Sequence, residues 1–250
     1  MLWASRMIDL SVLDRHDKIA LCMSGGKDSL ACIYMLRGHL HRVTVIHNDT
    51  GDLLPEVMEV VEHAKAMCPD FVHIHGDVLA WQRENGLPSD LVPYSSSDVG
   101  RMVGQERTKL VPRYTCCARN LMQPVHDAIL AGGYTLVIRG TKAGDFPTLP
   151  VVSGEVVGGV EYLHPLEGWS HAEVFEYLRR EGAPISRIYE SGLQAPECSR
   201  CTAWLNVGQA AYLTKYHPDR LVEYRDRLHA VFREIDPVLK DLASELREMG

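Results

Sequence analysis

Apolar residues recur along this chain in two alternating rhythms. Short runs at 18–22, 43–47, 71–75 and 135–139 are rich in Val, Ile and Leu, and continuous apolar runs of that length suit strands buried on both faces. Between the second and third runs, Val57, Val60, Val61 and Ala64 fall at i, i+3, i+4 and i+7 behind Pro55. That spacing predicts an amphipathic helix opened by proline. Leu121, Val125, Ala128 and Ile129 form a comparable stripe, and both stripes read as core. Strand and helix alternating in this way predict an α/β fold, a mainly parallel sheet covered by helices.

The rhythm breaks at 85–112, where Pro88, Pro93, Ser95 to Ser97, Gly100 and Gly104 interrupt any period, predicting a loop or lid. At 151–160, β-branched residues flank Ser153-Gly154 and Gly158-Gly159, which predicts a small hairpin. Ser170-His171-Ala172-Glu173 is a capping box; it starts a helix with Val174, Tyr177 and Leu178 inward, stopped by Gly182 and Pro184. Near the end, Leu221, Tyr224, Leu228, Val231 and Ile235 alternate three and four apart. Two heptads of this kind more often pack on their own domain than dimerise, so the seam gives only a weak expectation of a homodimer. The expected organisation is an α/β domain over 1–205 and a helical C-terminal extension over 206–250.

At 250 residues and 28.0 kDa the chain is long enough for a substantial core without disulfides. A net charge of -7 and a pI near 5.9 give no bulk attraction to nucleic acid or to an anionic membrane. A nucleic-acid acceptor would need a local patch, and 101–119 offers Arg101, Arg107, Lys109, Arg113 and Arg119 against Glu106. That stretch reads either as a solvated loop or as a phosphate or sulfate contact. The first 14 residues lack the uninterrupted apolar core of a signal peptide, and no run reaches membrane-spanning length. The expectation is a cytoplasmic, reducing setting in which cysteines are thiols or ligands. Cys22 and Cys32 read as small packed hydrophobes.

Two constellations carry chemistry. Ser24-Gly25-Gly26-Lys27-Asp28-Ser29 joins an apolar run to a helical stretch. Its glycines allow close backbone approach, the helix adds a positive dipole end, Lys27 adds a full charge, and the serines add hydroxyl donors. It is not a Walker loop, which would read GxxxxGK[ST]. The second is Cys116-Cys117 with Cys198 and Cys201 in a CxxC eighty residues later. Two tight thiol pairs can enclose an iron–sulfur cluster or a structural zinc if the fold brings them together, and unliganded thiols are the third reading. Adjacent cysteines strain a mononuclear site more than two irons of one cube.

These residues carry a family resemblance over about residues 17–205. The segment 20–29 resembles the pyrophosphate loop of the adenine nucleotide alpha-hydrolase superfamily. His47-Asn48-Asp49-Thr50-Gly51 with Pro55-Glu56, Gly140-Thr141-Lys142, and His164-Pro165-Leu166 with Trp169-Ser170 are similar to ordered motifs of the phosphoadenylyl-sulfate (PAPS) reductase family. The resemblance implies a Rossmann-like sheet with helices on both faces. It implies an adenylyl nucleotide (ATP, APS or PAPS) held by Ser24 to Ser29, Asp49, Thr50, Gly51, Gly140 and Lys142. Family members acting on adenylyl sulfate (APS) carry the same Cys-Cys and CxxC spacing and a 4Fe-4S cluster. By that resemblance Cys116, Cys117, Cys198 and Cys201 become cluster ligands, with the loop Ala195-Pro196-Glu197 delivering the second pair.

Two departures bear on activity. The family's reductases attack sulfur with a C-terminal cysteine, whereas no cysteine follows Cys201 here; and a basic pair usual after Cys-Cys is Asn120-Leu121, a charge that Arg119 or Arg113 would have to supply. The leading expectation is an enzyme that cleaves the alpha-beta linkage of an adenylyl nucleotide and supports sulfur transfer. Lys27 and Asp28 would be its catalytic residues, with Mg2+ near Asp28. The alternatives are an APS/PAPS reductase using a thiol from a sulfur-donor protein or another thiol partner, and a non-catalytic nucleotide and cluster sensor.

Overall fold

The computed structural model describes residues 9–104, 107–145, 150–193, 195, 198–205 and 208–249. In chain order its elements are β1 (Ile19–Met23), α1 (Lys27–Met35), β2 (Val43–Asp49), α2 (Pro55–Met67), β3 (Asp70–His75), α3 (Val78–Asn85), β4 (Leu87–Ser89), α4 (Asp98–Met102), β5 (Leu110–Pro112), α5 (Arg113–Cys117), α6 (Gln123–Gly132), β6 (Leu136–Ile138), β7 (Val156–Val157), β8 (Val160–Leu163), α7 (His171–Arg180), α8 (Gln209–Tyr216) and α9 (Pro218–Glu248). The contacts divide the chain into two compact units, one of residues 1–48, 55–74 and 124–187, the other of 49–54, 75–123 and 188–250. That division differs from a cut after residue 205, because 206–250 shares its unit with both cysteine pairs.

The first unit is built on a sheet of order β3-β2-β1-β6-β8-β7. β1 pairs in parallel with β2 and β6, β6 in parallel with β8, and only β7 runs antiparallel, to β8. Successive side chains of a strand point to opposite faces, and β1 uses both. Ile19, Leu21 and Met23 pack with Leu30, Ile33, Val61, Val174 and Leu178, while Ala20 and Cys22 pack with Ile129, Val125 and Ala128. Helices α1, α2 and α7 therefore cover one face and α6 the other, the layered architecture that the alternating rhythm predicts. From β1 the chain first builds β2 and β3 on one side and later β6 and β8 on the other. The sheet order reverses beside β1, and the carboxyl ends of β1 and β6 flank this switch point, the position at which open α/β sheets bind ligands.

The α2 stripe is fully core: Val57, Val60, Val61 and Ala64 are all buried. The Leu121 stripe is corrected. Residues Ala118–Met122 form a π-helical turn, which changes the angular register, so Leu121 is exposed while Ile129 is buried. The hairpin around Gly158-Gly159 and the capping box at Ser170 form as predicted.

In the second unit, the described residues of 85–112 form regular elements where the sequence predicts a loop or lid. β4 and β5 pair in parallel, and Leu87 N–H donates to the Lys109 carbonyl at 2.9 Å. Three-residue strands are too short to leave a period in the sequence. On α9, Tyr224 and Val231 are buried and Leu221, Leu228 and Ile235 half-buried, so the C-terminal seam contributes to its own unit's packing. Among the described residues no helix is long and apolar enough to cross a membrane.

Candidate functional site

The loop after β1 is knitted by its own serines. Ser29 Oγ donates to the Gly26 carbonyl at 3.0 Å and lies 3.1 Å from Ser24 Oγ, which accepts from Gly26 N–H at 3.3 Å. Gly25 has φ of 82°, a conformation that strains any residue with a Cβ. Gly26, at the cap of the nine-residue helix α1, contributes no side-chain hydrogen bond, and a helix start of this kind can hold an anion.

Two lysines meet at this loop. Lys27 Nζ lies 2.9 Å from Asp28 Oδ2, and Lys142 Nζ, from the loop after β6, lies 2.9 Å from Asp28 Oδ1 and 3.1 Å from Asp145 Oδ1. Both lysines are buried. Buried cations persist when paired, and one carboxylate bridging two ammonium groups accomplishes this. Gly140 is obligatory for the approach of the two loops: a Cβ there would meet the Asp28 backbone carbon at 2.7 Å. Asp145 was not singled out from the sequence, although an acid three residues after Lys142 is the available signal. α7 adds Phe175, whose ring centre is 5.7 Å from Lys27 Nζ, and His171, whose imidazole is held below its usual value by burial and by the charges of Lys27 and Lys142.

Asp49, Thr50 and Gly51 belong to the other unit. Asp49 Oδ1 accepts from Gly51 N–H at 2.8 Å, and Thr50 Oγ1 lies 3.4 Å from Cys198 Sγ. The hydroxyl read as an adenosine contact is thus engaged with a cysteine.

All four quartet cysteines fall in this second unit, and none forms a disulfide. Cys116 is buried in one apolar cluster with Val78 and Val111, and Cys198 packs against it. Gln82 Nε2 donates to Cys116 Sγ at 3.2 Å, and Asn120 Nδ2 donates to the Cys116 carbonyl at 3.0 Å. Burial pushes the Cys116 and Cys198 thiols up. Metal binding here would have to displace thiol protons against that burial. Soft sulfur donors drawn from two chain segments, with polar hydrogens already aimed at two of them, fit an iron–sulfur or zinc ligand set. Pro196 and Glu197 of the expected delivery loop lie outside the described residues.

The CxxC is positioned by Asp52, a buried carboxylate that sequence reasoning missed. Ser199 Oγ donates to it at 2.8 Å, Arg200 N–H at 2.9 Å and Arg200 Nε at 2.8 Å. Arg220 Nη1 donates to Ser199 Oγ at 2.8 Å, and Gln209 Nε2 to the Ser199 carbonyl at 2.7 Å. The 101–119 stretch is largely compensated: Lys109 pairs with Asp98 at 2.6 Å, Arg107 with Glu234 at 3.9 Å, and Arg113 with Asp90 at 2.8 Å while stacking on Trp204. Glu106 lies outside the described residues.

Residues 18–86 match the model of the phosphoadenosine phosphosulfate reductase domain. The chain is 24% identical over 203 residues to adenosine 5'-phosphosulfate reductase of Allochromatium vinosum, covering 77% of this chain and 71% of that protein. It is 22% identical over 193 residues to phosphoadenosine 5'-phosphosulfate reductase of Gloeobacter violaceus, covering 75% and 73%. Among solved structures, PAPS reductase from Candida auris in a phosphate complex superposes with a TM-score of 0.52 at 16% identity, covering 72% of this chain and 81% of that one.

Proposed function

We infer from the likeness of this chain to the phosphoadenylyl-sulfate and adenylyl-sulfate reductases that the chain acts on an adenylyl sulfonucleotide, APS or PAPS. The observation that carries the reading is the loop after β1, where Lys27 and Lys142 are both buried and both paired with Asp28 at the start of α1. Lys27 and the α1 amides hold the phosphate of the nucleotide, Gly140 lets the loop after β6 close on it, and Lys142 fixes the carboxylate of Asp28.

In this reading the reaction is reductive cleavage. A thiolate attacks the sulfonate sulfur, an S–S bond forms, the S–O bond to the nucleotide breaks, and the electron pair leaves with the nucleotide phosphate. A second thiol then releases sulfite and leaves a disulfide, so two thiols supply the two electrons. Residues 202–250 contain no cysteine, so the attacking thiol comes from outside that stretch, as from a thiol-carrying partner protein. Cys116, Cys117, Cys198 and Cys201 are the ligands we assign to a 4Fe-4S cluster. When bound, it supplies a fixed charge centre that ties the two chain segments.

The competing reading, cleavage of ATP with sulfur transfer, calls on Mg2+ at Asp28. Both oxygens of Asp28 already face lysine ammonium groups, an arrangement a divalent cation would have to break, so the donor set does not fit Mg2+ and no step is assigned to it. The test is to purify the protein without oxygen, count iron and sulfide, and assay products from APS, PAPS and ATP in parallel with a dithiol present. Sulfite with AMP or its 3'-phosphorylated form is the expected outcome. Pyrophosphate from ATP alone would transfer the assignment to the sulfur-transfer class, and tight binding without turnover would leave a sensor.

A further inference from the structure

One cation reaches both cysteine pairs, and it comes from the C-terminal helix. Arg227 of α9 donates from Nε to the carbonyl of Arg200 at 3.2 Å, the residue between Cys198 and Cys201. Its Nη2 donates to Oε1 of Gln82, whose Nε2 in turn donates to Cys116 Sγ at 3.2 Å. A single guanidinium therefore connects the peptide of the second pair with the amide that holds the first. A planar fork can do this, where the point charge of a lysine cannot.

The charge balance around it is unusual. The Arg227 side chain is only 12% exposed, and among the described residues its one ion pair is the 4.0 Å contact with Glu223, with Asp52 acting on it from further away. The Glu223 carboxylate is itself half-exposed and is taken more closely by Arg200. Asp52 is saturated by Arg200 and Ser199. The short contacts of Arg227 are thus to two neutral oxygens. Burying a full charge whose short contacts are to neutral acceptors is costly. Four thiolates around an iron–sulfur cube are net anionic and would offset it. Burial disfavours the Arg227 charge, and Asp52 and Glu223 favour it only from a distance.

We propose that Arg227 is the counter-charge and cross-brace of the loaded cysteine quartet, doing from α9 what a basic pair after Cys116-Cys117 would otherwise do. The sequence places Asn120-Leu121 where that pair was sought, and Asn120 serves the Cys116 carbonyl instead. This rests on the cluster assignment above, and makes Arg227 a positioning residue rather than a catalytic one.

The experiment compares wild type, Arg227→Gln and Arg227→Lys, all prepared without oxygen. Iron and sulfide content, midpoint potential by spectroelectrochemical titration, and the rate of iron loss to a chelator are measured on each. Removing a positive charge beside the cluster disfavours an added electron. Arg227→Gln should therefore shift the potential to more negative values and lose iron roughly tenfold faster, a factor equivalent to about 1.4 kcal/mol. Arg227→Lys should hold a potential near wild type while still losing iron faster, because it keeps the charge and loses the fork. An Arg227→Gln protein with wild-type potential would overturn the proposal while leaving the cluster assignment intact. If Arg227→Gln does not fold, the Lys variant decides: a potential displaced from wild type overturns the counter-charge role, and a retained potential supports it. Wild type that holds no iron or sulfide and takes up none would defeat the cluster assignment, and this proposal with it.

Discussion

The two units of this chain assemble their chemistry in opposite ways. The first presents the groups proposed to hold an anion from regular elements: a strand end, a helix start and a second strand end, with Lys27, Asp28, Lys142 and Asp145 paired with one another. The second holds its sulfurs by side chains sent from distant segments, with Asp52, Gln82, Arg200, Arg220 and Arg227 each reaching across a gap in sequence. A site made by backbone geometry tolerates change in its side chains and fails when the backbone is displaced. A site made by a polar network fails when any buried member is removed.

That contrast is sharpest at Asp52. Asp52→Asn leaves the shape nearly unchanged but removes the charge that holds Arg200 and Ser199. Breaking a buried, hydrogen-bonded ion pair from one side costs about 3–5 kcal/mol. Urea unfolding should register a loss of that size, together with poorer metal retention. A loss under ~1 kcal/mol would mean that the network is not what positions the CxxC.

Gly140→Ala probes the backbone-built site. The new Cβ would meet the Asp28 carbon at 2.7 Å and its oxygen at 2.8 Å, atoms that cannot rotate away, so the strand end or the loop must shift at a cost of about 1–3 kcal/mol. Nucleotide affinity, measured by calorimetry, should fall along with stability. Retained affinity would show that the loop after β6 need not approach the β1 loop so closely.

The regular unit was the more legible in the sequence for a physical reason. Val57 to Ala64 and the β1 run had to alternate in the period of their element in order to bury a face, and the glycines and capping residues stand where the backbone demands them. Even there the strand ends were displaced by a residue or two, since Asp49 extends β2 and Thr135 and Arg139 fall outside β6. Asp52, Gln82 and Arg227 left no such trace. A buried carboxylate, an amide and an arginine look like surface residues until the fold supplies partners 147, 34 and 27 positions away. The cysteine spacing advertised a ligand set, but the groups that support it could be found only in three dimensions. Leu121 was misplaced because one π turn resets a helical phase that was counted as regular.

A smaller effect tests the first unit's interior. His164 is buried, and burial holds its imidazole below its ordinary value of 6.5. The folded state therefore prefers the neutral ring. As pH falls below about 6.5 the unfolded chain takes up a proton that the native chain resists, and stability declines by about 1.4 kcal/mol for each unit of depression. His164→Asn, which removes the titrating ring and keeps a polar side chain, should flatten the stability profile between pH 6.5 and 5, read by thermal unfolding across that range. A slope unchanged by the substitution would assign the acid sensitivity elsewhere.

The Asp28 carboxylate clasped between two ammonium groups has one more consequence. With Asp145, the cluster sums to zero formal charge, in a protein that is itself acidic. A solute anion some Debye lengths away feels no pull from it. If this loop holds the phosphoester as proposed, recognition begins only at contact, discrimination between one small phosphoester and another is left to fit and hydrogen-bond direction, and binding should change little as salt is added.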